Sequence, residues 1–489
     1  MGKSDGPIVP EKPANKAKAA ESAEGRGPAK GKATQGDPGR TRRRKQAGAT
    51  RLRRLRERAQ REGAKREREK EKYTNLYSLL TAELLREVFL RLRRQAAPGV
   101  DGQSWDQYAG GLEERLKDLE ERLHRMGYHP QPVRRTYIPK ADGRQRPLGI
   151  PAIEDKIVQG AVVAILTPIY EAEFPDCSYG FRPGRNQQQA PEALDRMLYQ
   201  GKVNWVIDAD IKSYFDTIEH ERLMEMLAHR IADPRLLRLV RRWLKAGVLE
   251  EGEIRETEQG TPQGGLISPL LANIYLHYVL DLWMRKQGRQ MKGTVHLVRY
   301  ADDFIIGLQY REEAQRLLAG LRERLASFGL ALHPDKTRLL RFGLFARRDA
   351  HLDGGRKPET FDFLGFTHIS GKGRKGQFAV VRRTAKKKRK AKLPELREEM
   401  RKRISTPIVR QWEWLVTVLR GHFNYYGVPT NYPALASFRH TVLAMWHRVL
   451  RRRSQRAHLT RPQLDLLERR YPLPLPRIRR IRQLGLATF

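Results

Sequence analysis

The sequence predicts an α+β protein, and three observations carry that expectation. The stretch Val295 to Leu308, VHLVRYADDFIIGL, sets two apolar runs rich in Val, Ile and Phe around a polar middle, as a β-hairpin does. The stretch WVIDADIKSYFDTI, Trp205 to Ile218, opens as a second strand. Around both lie segments of helical periodicity, among them AIEDKIVQGAVVAILTPIYEAEF and REEAQRLLAGLRERLASFGL.

Composition narrows the classes. The 489 residues are a soft prior for about three domains, and 39% hydrophobic residues support a sizeable core. Lys and Arg number 96 against 56 Asp and Glu, a net charge of +40 with a pI near 10.6. Such a chain expects a polyanionic partner, most often nucleic acid. No apolar run approaches the ~20 residues of a spanning helix, and the basic N-terminus precedes no apolar segment, so neither membrane nor secretion is expected. The single cysteine, Cys177, excludes disulfides within the chain and Cys-based zinc fingers, and fits a reducing compartment. The chain holds no P-loop, Rossmann, HExxH or nucleophile-elbow pattern.

Taken in order, residues 1–72 are rich in Lys, Arg, Ala, Gly, Glu and Pro and nearly free of aromatics, so they are expected to be a disordered basic extension. Its second half could turn helical on a polyanion or serve as a solubilising tail. Helical segments follow from about Tyr73, broken at Pro98–Gly99 and again at Gly110–Gly111. Arg134 to Pro139 then reads as a strand returning through Ala-Asp-Gly, with Lys140, Arg144 and Arg146 at or beside the turn. Those cations suit a triphosphate, or are ordinary surface charge. SYGFRPGRNQQQA opens another helix, where Arg182 and Arg185 could bind phosphate. Gln259 to Gly265 is a Gly/Pro-rich loop, with Ser268 and Pro269 as N-cap and first residue of a helix. FDFLGFTH and Gln377 to Val381 read as strands, AKKKRKAK (385–392) as a linker, and the remainder as basic helices. In the last part, Trp412, Trp414, His422, Phe423, Tyr425 and Tyr426 alternate with arginines. That mixture suits nucleic acid or a helix core.

The acids carry the chemistry. Asp302 and Asp303 stand side by side at the hairpin turn, and Asp208 and Asp210 sit two apart in a strand, hence on one face. A solvated Asp-rich turn is one reading of the hairpin. Two strands carrying carboxylates to one sheet, as a site for a pair of divalent cations, is the other.

YADD (Tyr300–Asp303), DIKSYFDTI (Asp210–Ile218) and QGTPQGGLISPLLANIYL (Gln259–Leu276) resemble the motifs of reverse transcriptases. With APGVDG, RPLGIPAIEDKIVQGA, SYGFRPGR, FDFLGF and LRGHFNYYGV in the same order, the chain more narrowly resembles bacterial group II intron-encoded reverse transcriptases and maturases over about residues 73 to 430. The resemblance implies a right-hand polymerase: fingers and a palm with an antiparallel sheet over 73–384, and a helical thumb or maturase region over 385–489. It implies that Asp210, Asp302 and Asp303 hold two Mg²⁺ ions and are catalytic, with Asp208 in a supporting role. Lys140 and Arg146 would hold the incoming deoxynucleoside triphosphate, Phe215 would crowd the sugar 2′ position, Gln263 would lie near nucleotide and template, and Lys336 near the triphosphate. The implied function is RNA-directed DNA synthesis with intron RNA as template and a DNA primer or target, together with splicing assistance and retrotransposition, in a cytoplasmic ribonucleoprotein without membrane. A host-domesticated reverse transcriptase in defence or repair, and a non-catalytic splicing factor on a polymerase fold, are the competing readings. Ser213 and Tyr214 stand where relatives often carry Gly and Phe. No four-cysteine HNH endonuclease is expected, because one cysteine cannot supply its zinc sites.

Overall fold

The computed structural model describes residues 38–63, 71–139, 145–250, 252–255, 258–261, 264–352, 354, 357–373, 376–453 and 459–478. It is a mixed α+β fold. The strands are β1 (Val133–Pro139), β2 (Gln145–Ile150), β3 (Trp205–Asp210), β4 (Val248–Glu250), β5 (Glu253–Arg255), β6 (Val295–Tyr300), β7 (Asp303–Leu308), β8 (Arg338–Arg341), β9 (Thr360–Phe363), β10 (Phe366–Lys372) and β11 (Phe378–Thr384). They form three sheets of order β2-β1-β4-β5, β6-β7-β3-β8 and β11-β10-β9.

The middle sheet is antiparallel throughout, and its strands β3, β6 and β7 are buried along nearly their whole length. Burial on both faces explains why their sequences are continuous apolar runs rather than alternating ones. The helices Ile153–Glu171 and Ser268–Leu276 belong to the same core and are apolar nearly all round, as buried helices are. A π-helical turn, His277–Asp281, joins the second of these to the helix Leu282–Gly288. The expected break at Gly110–Gly111 occurs, one helix spanning Trp105–Ala109 and the next beginning at Leu112, whereas the helix before Pro98 already ends at Arg91.

The helices Lys386–Lys402, Ile408–Tyr426, Tyr432–Arg451 and Arg461–Arg470 form a C-terminal helical unit. Leu415, Leu419, Phe423, Leu435, Phe438, Val442 and Trp446 form its apolar core. Trp414 is only partly buried, under the Arg403 guanidinium 4.7 Å from its ring centroid. Among the described residues no helix is long and apolar enough to cross a membrane.

Three expectations are corrected. Residues 38–63 of the basic extension are helical rather than disordered. Leu55 and Ala59, one turn apart, are buried where this helix meets Ile153–Glu171. An apolar surface already folded supplies what the extension's own composition lacks. Residues 1–37 and 64–70 lie outside the described residues. The basic run 385–392 is not a linker but the first turns of the helix Lys386–Lys402, anchored downstream by buried Leu396 and Met400. The helix at Ser268 has Ile267 rather than Ser268 as its N-cap.

Candidate active site

The acids meet at one end of the middle sheet. The β3–β7 register sets Asp210 directly opposite Asp303, and the β6–β7 register sets Tyr300 opposite Asp303. Ala301 and Asp302 are therefore the two loop residues of a tight hairpin. Such a loop needs a positive φ, which Ala301 supplies at +56°. A non-glycine residue held there is strained, and surrounding structure must hold it. Asp303 is buried, Asp210 nearly so, and Asp302 half-buried at the tip. Burial, and then the charge of Asp210, push the Asp302 carboxyl up to about 6. The positive charges of Lys336 and Arg146 act against that rise.

The HPDKT segment runs beside the end of β3. The His333 amide donates to the Asp210 carbonyl at 2.8 Å, and Lys336 Nζ donates to the Asp210 carboxylate. The fourth acid is engaged elsewhere: Asp208 accepts from Arg338 Nη2 at 3.2 Å. Phe215 follows in a 3₁₀ turn, Tyr214–Asp216, against Tyr214 with ring centroids 5.5 Å apart. The Gly-rich loop binds that turn from one side, through Thr261 N to the Phe215 carbonyl at 2.7 Å. On the other side it meets β2. Gly264 has φ +119°, and a Cβ there would lie 2.3 Å from the Gly149 carbonyl. Only glycine permits that approach.

The donor chemistry suits a hard divalent cation. Three carboxylates share one sheet end, and their mutual repulsion, visible at Asp302, is what a bound cation relieves. Among the described residues no three Asp, Glu, His or Cys side chains already stand around a common point.

Comparison with known proteins agrees with this geometry. The reverse transcriptase (RNA-dependent DNA polymerase) family matches residues 138–368, which contain all of these acids. The Escherichia coli protein YkfC is 36% identical over 321 residues, covering 58% of this chain and 79% of that protein. The group II intron-encoded protein LtrA of Lactococcus lactis is 41% identical over 221 residues, covering 44% of this chain and 37% of that protein. The chain belongs to the reverse transcriptase family. A protein encoded in the cob intron of Schizosaccharomyces pombe is also similar, 30% identical over 319 residues, 54% of this chain and 39% of that protein. The enzyme class is RNA-directed DNA polymerase.

In this reverse transcriptase, four of the eight residues expected at the site stand together, Asp210, Asp302, Asp303 and Lys336, and Arg146 lies in β2, opposite Ile138. Phe215 lies on the turn that follows Asp210. Lys140, like Arg144, and Gln263 lie outside the described residues. Arg182, expected as a phosphate ligand, is taken up inside the fold. Arg182 is buried, paired with Glu171 at 3.0 Å and bonded to the carbonyls of Pro175 and Ser178, and Arg185 pairs with Asp176.

The residues missed from sequence are those that hold the hairpin. Arg299 in β6 is fully buried and makes a bidentate pair with Asp281, at 2.8 and 2.6 Å. Its Nη1 also reaches Asn273 Oδ1 at 3.0 Å and the Ala301 carbonyl at 3.2 Å. Asn273 in turn donates to the Gly180 carbonyl at 2.7 Å. Arg299 thus clamps the strained residue beside Asp302 to two helical elements. The Arg299 guanidinium helps hold the Asp281 carboxyl below the usual range, although burial alone would raise it. A lone arginine inside an apolar strand was the available signal, because a buried arginine needs a partner.

Proposed function

We propose that Asp210, Asp302 and Asp303 hold two Mg²⁺ ions and that this site extends a DNA primer on an RNA template. The strand register that sets Asp210 opposite Asp303, with Asp302 in the intervening loop, carries this reading. When bound, the Mg²⁺ pair supplies a lower pKa for the primer 3′-hydroxyl and charge stabilisation for the leaving oxygens. The chain's own share is positioning and charge neutralisation. Arg146, with Lys140, offsets charge on the triphosphate of the incoming nucleotide. Lys336 exchanges the Asp210 carboxylate for a phosphate oxygen as substrate arrives. Phe215 crowds the sugar 2′ position and excludes ribonucleotides, and Gln263 lies against nucleotide and template.

On this reading the architecture is a right hand. Residues 73–384 form fingers and palm, the β6-β7-β3-β8 sheet being the palm, and residues 385–489 form the thumb. The basic surface binds intron RNA to assist splicing and retrotransposition, in a cytoplasmic ribonucleoprotein. Counterion release makes such binding fall steeply with salt. The test is Mg²⁺-dependent extension of a primed RNA template. Synthesis that vanishes on Asp302→Ala while intron RNA binding persists supports the reading. Synthesis unchanged in that variant removes it.

A further inference from the structure

The end of β3 away from the acids carries a second built feature. Trp205 opens the strand and Asp210 closes it, so about 17 Å of strand separates the two. A cavity of about 200 Å³ opens there between Trp205, Tyr310, Arg311, Arg341, Phe345 and Arg348. The guanidinium groups of Arg311 and Arg341 both lie over the Trp205 ring, 5.4 and 5.3 Å from its centroid. Arg348 lies 4.8 Å from the centroid of Phe345. Tyr310 and Phe345 are 48% and 42% exposed, although both are large rings.

The floor is fixed. Phe342 N donates to the Asn204 carbonyl and Asn204 N to the Leu308 carbonyl, each at 2.9 Å, while Asn204 Nδ2 reaches the Gln309 carbonyl at 3.2 Å. Gly343 sits at φ +148°, where a Cβ would lie 1.9 Å from the Val203 carbonyl. No side chain fits there, so the segment carrying Phe345 is pinned to the strand end. Asp349 lies 3.1 Å from Arg348 and 3.9 Å from Arg341 and offsets one of the three positive charges. The mouth stays net positive.

Solvated surface arginines need neither exposed rings nor a preformed floor. Half-exposed aromatics flanked by guanidinium groups suit an unpaired base and its phosphate, the ring for stacking and the cations for charge. The cavity is smaller than a drug-sized pocket, so it suits one planar base and not a paired helix. We propose that this cavity takes one unpaired nucleotide of single-stranded RNA, its base on Phe345 or Tyr310 and its phosphate among Arg311, Arg341 and Arg348. The site is separate from the polymerase cleft and does not depend on the metal reading above.

The test uses the full chain with its cleft saturated by a primed template. An unstructured RNA oligonucleotide carrying 4-thiouridine is added and photo-crosslinked, and the adducts are mapped by mass spectrometry. Adducts are expected at Tyr310 or within residues 342–350. Phe345→Ala should weaken this binding about tenfold, Phe345→Trp should retain it, and Arg348→Ala should weaken it independently. Primer extension and melting temperature should match the parent in all three. Free uridine monophosphate at equal nucleotide concentration should leave the adduct in place. Displacement by the free nucleotide as effective as by unlabelled RNA would overturn RNA as the occupant. Adducts confined to other segments, or undiminished in both alanine variants, would overturn the site itself.

Discussion

The polymerase centre and the C-terminal helical unit are both well packed, but they are held by different forces. At the centre, buried acids are paired: Asp281 with the equally buried Arg299, Asp208 with the more exposed Arg338, and Asp210 with the half-buried Lys336. In the C-terminal unit, Leu415, Leu419, Leu435, Phe438 and Val442 supply the core. Polar burial there is slight: Asn431, and Gln411, which accepts from Trp446 Nε1 at 3.0 Å and donates to the Arg403 carbonyl at 2.9 Å. The difference fits the function proposed for each region. Carboxylates proposed to meet a cation at fixed positions need a polar frame, which specifies direction. A unit proposed to present basic surface can rely on apolar packing, which does not.

The largest break in this comparison is at the centre itself. Asp302→Ala should reduce primer extension by about a thousandfold or more while the circular dichroism spectrum and intron RNA binding stay near the parent. Next comes the frame. Arg299→Met removes the bidentate partner of buried Asp281 and leaves it, among the described residues, only His277, 3.8 Å away, and breaking such a buried pair costs about 3–5 kcal/mol. Chemical denaturation should read that loss, and extension should fall with it because the Ala301 turn loses its clamp.

A smaller effect probes the C-terminal unit. His422 stacks on Phe438 with ring centroids 3.9 Å apart. Burial, and then the charge of Lys392, bring its pKa down to about 4. Between its ordinary value near 6.5 and about 4, the unfolded chain binds a proton that the folded chain does not. Stability should therefore fall as pH falls through that window, by up to about 3 kcal/mol. A melting series against pH should show this slope, and His422→Gln should flatten it. The smallest effect is one of selectivity. Phe215→Ala should narrow the preference for deoxyribonucleotides over ribonucleotides by about tenfold, read by single-nucleotide extension. An unchanged ratio would remove Phe215 as the sugar gate.

Much of this was legible in the sequence, for definable reasons. The hairpin 295–308 was legible because two apolar runs rich in Val, Ile and Phe flank a short polar middle. The helix Ile153–Glu171 was legible because its apolar residues leave no polar face. Arg299 was not, because its partner Asp281 lies on a π-helical turn that no local pattern signals. Arg182 read as a phosphate ligand because a loop arginine before a helix can serve either role. The presence of Glu171 at 3.0 Å decides it, and that contact is tertiary. The helix 38–63 was missed for the opposite reason: its own composition argues against order, and the surface it rests on is more than ninety residues away in sequence.

The central claim is that three acids, remote in sequence, hold one pair of cations. Iron(II) in place of Mg²⁺, with ascorbate and peroxide, cleaves backbone close to where the metal sits. The account predicts cuts near 208–212 and 300–304 that Mg²⁺ competes away and that Asp303→Ala abolishes. Cuts at only one of the two segments, or cuts that survive the substitution, would contradict it.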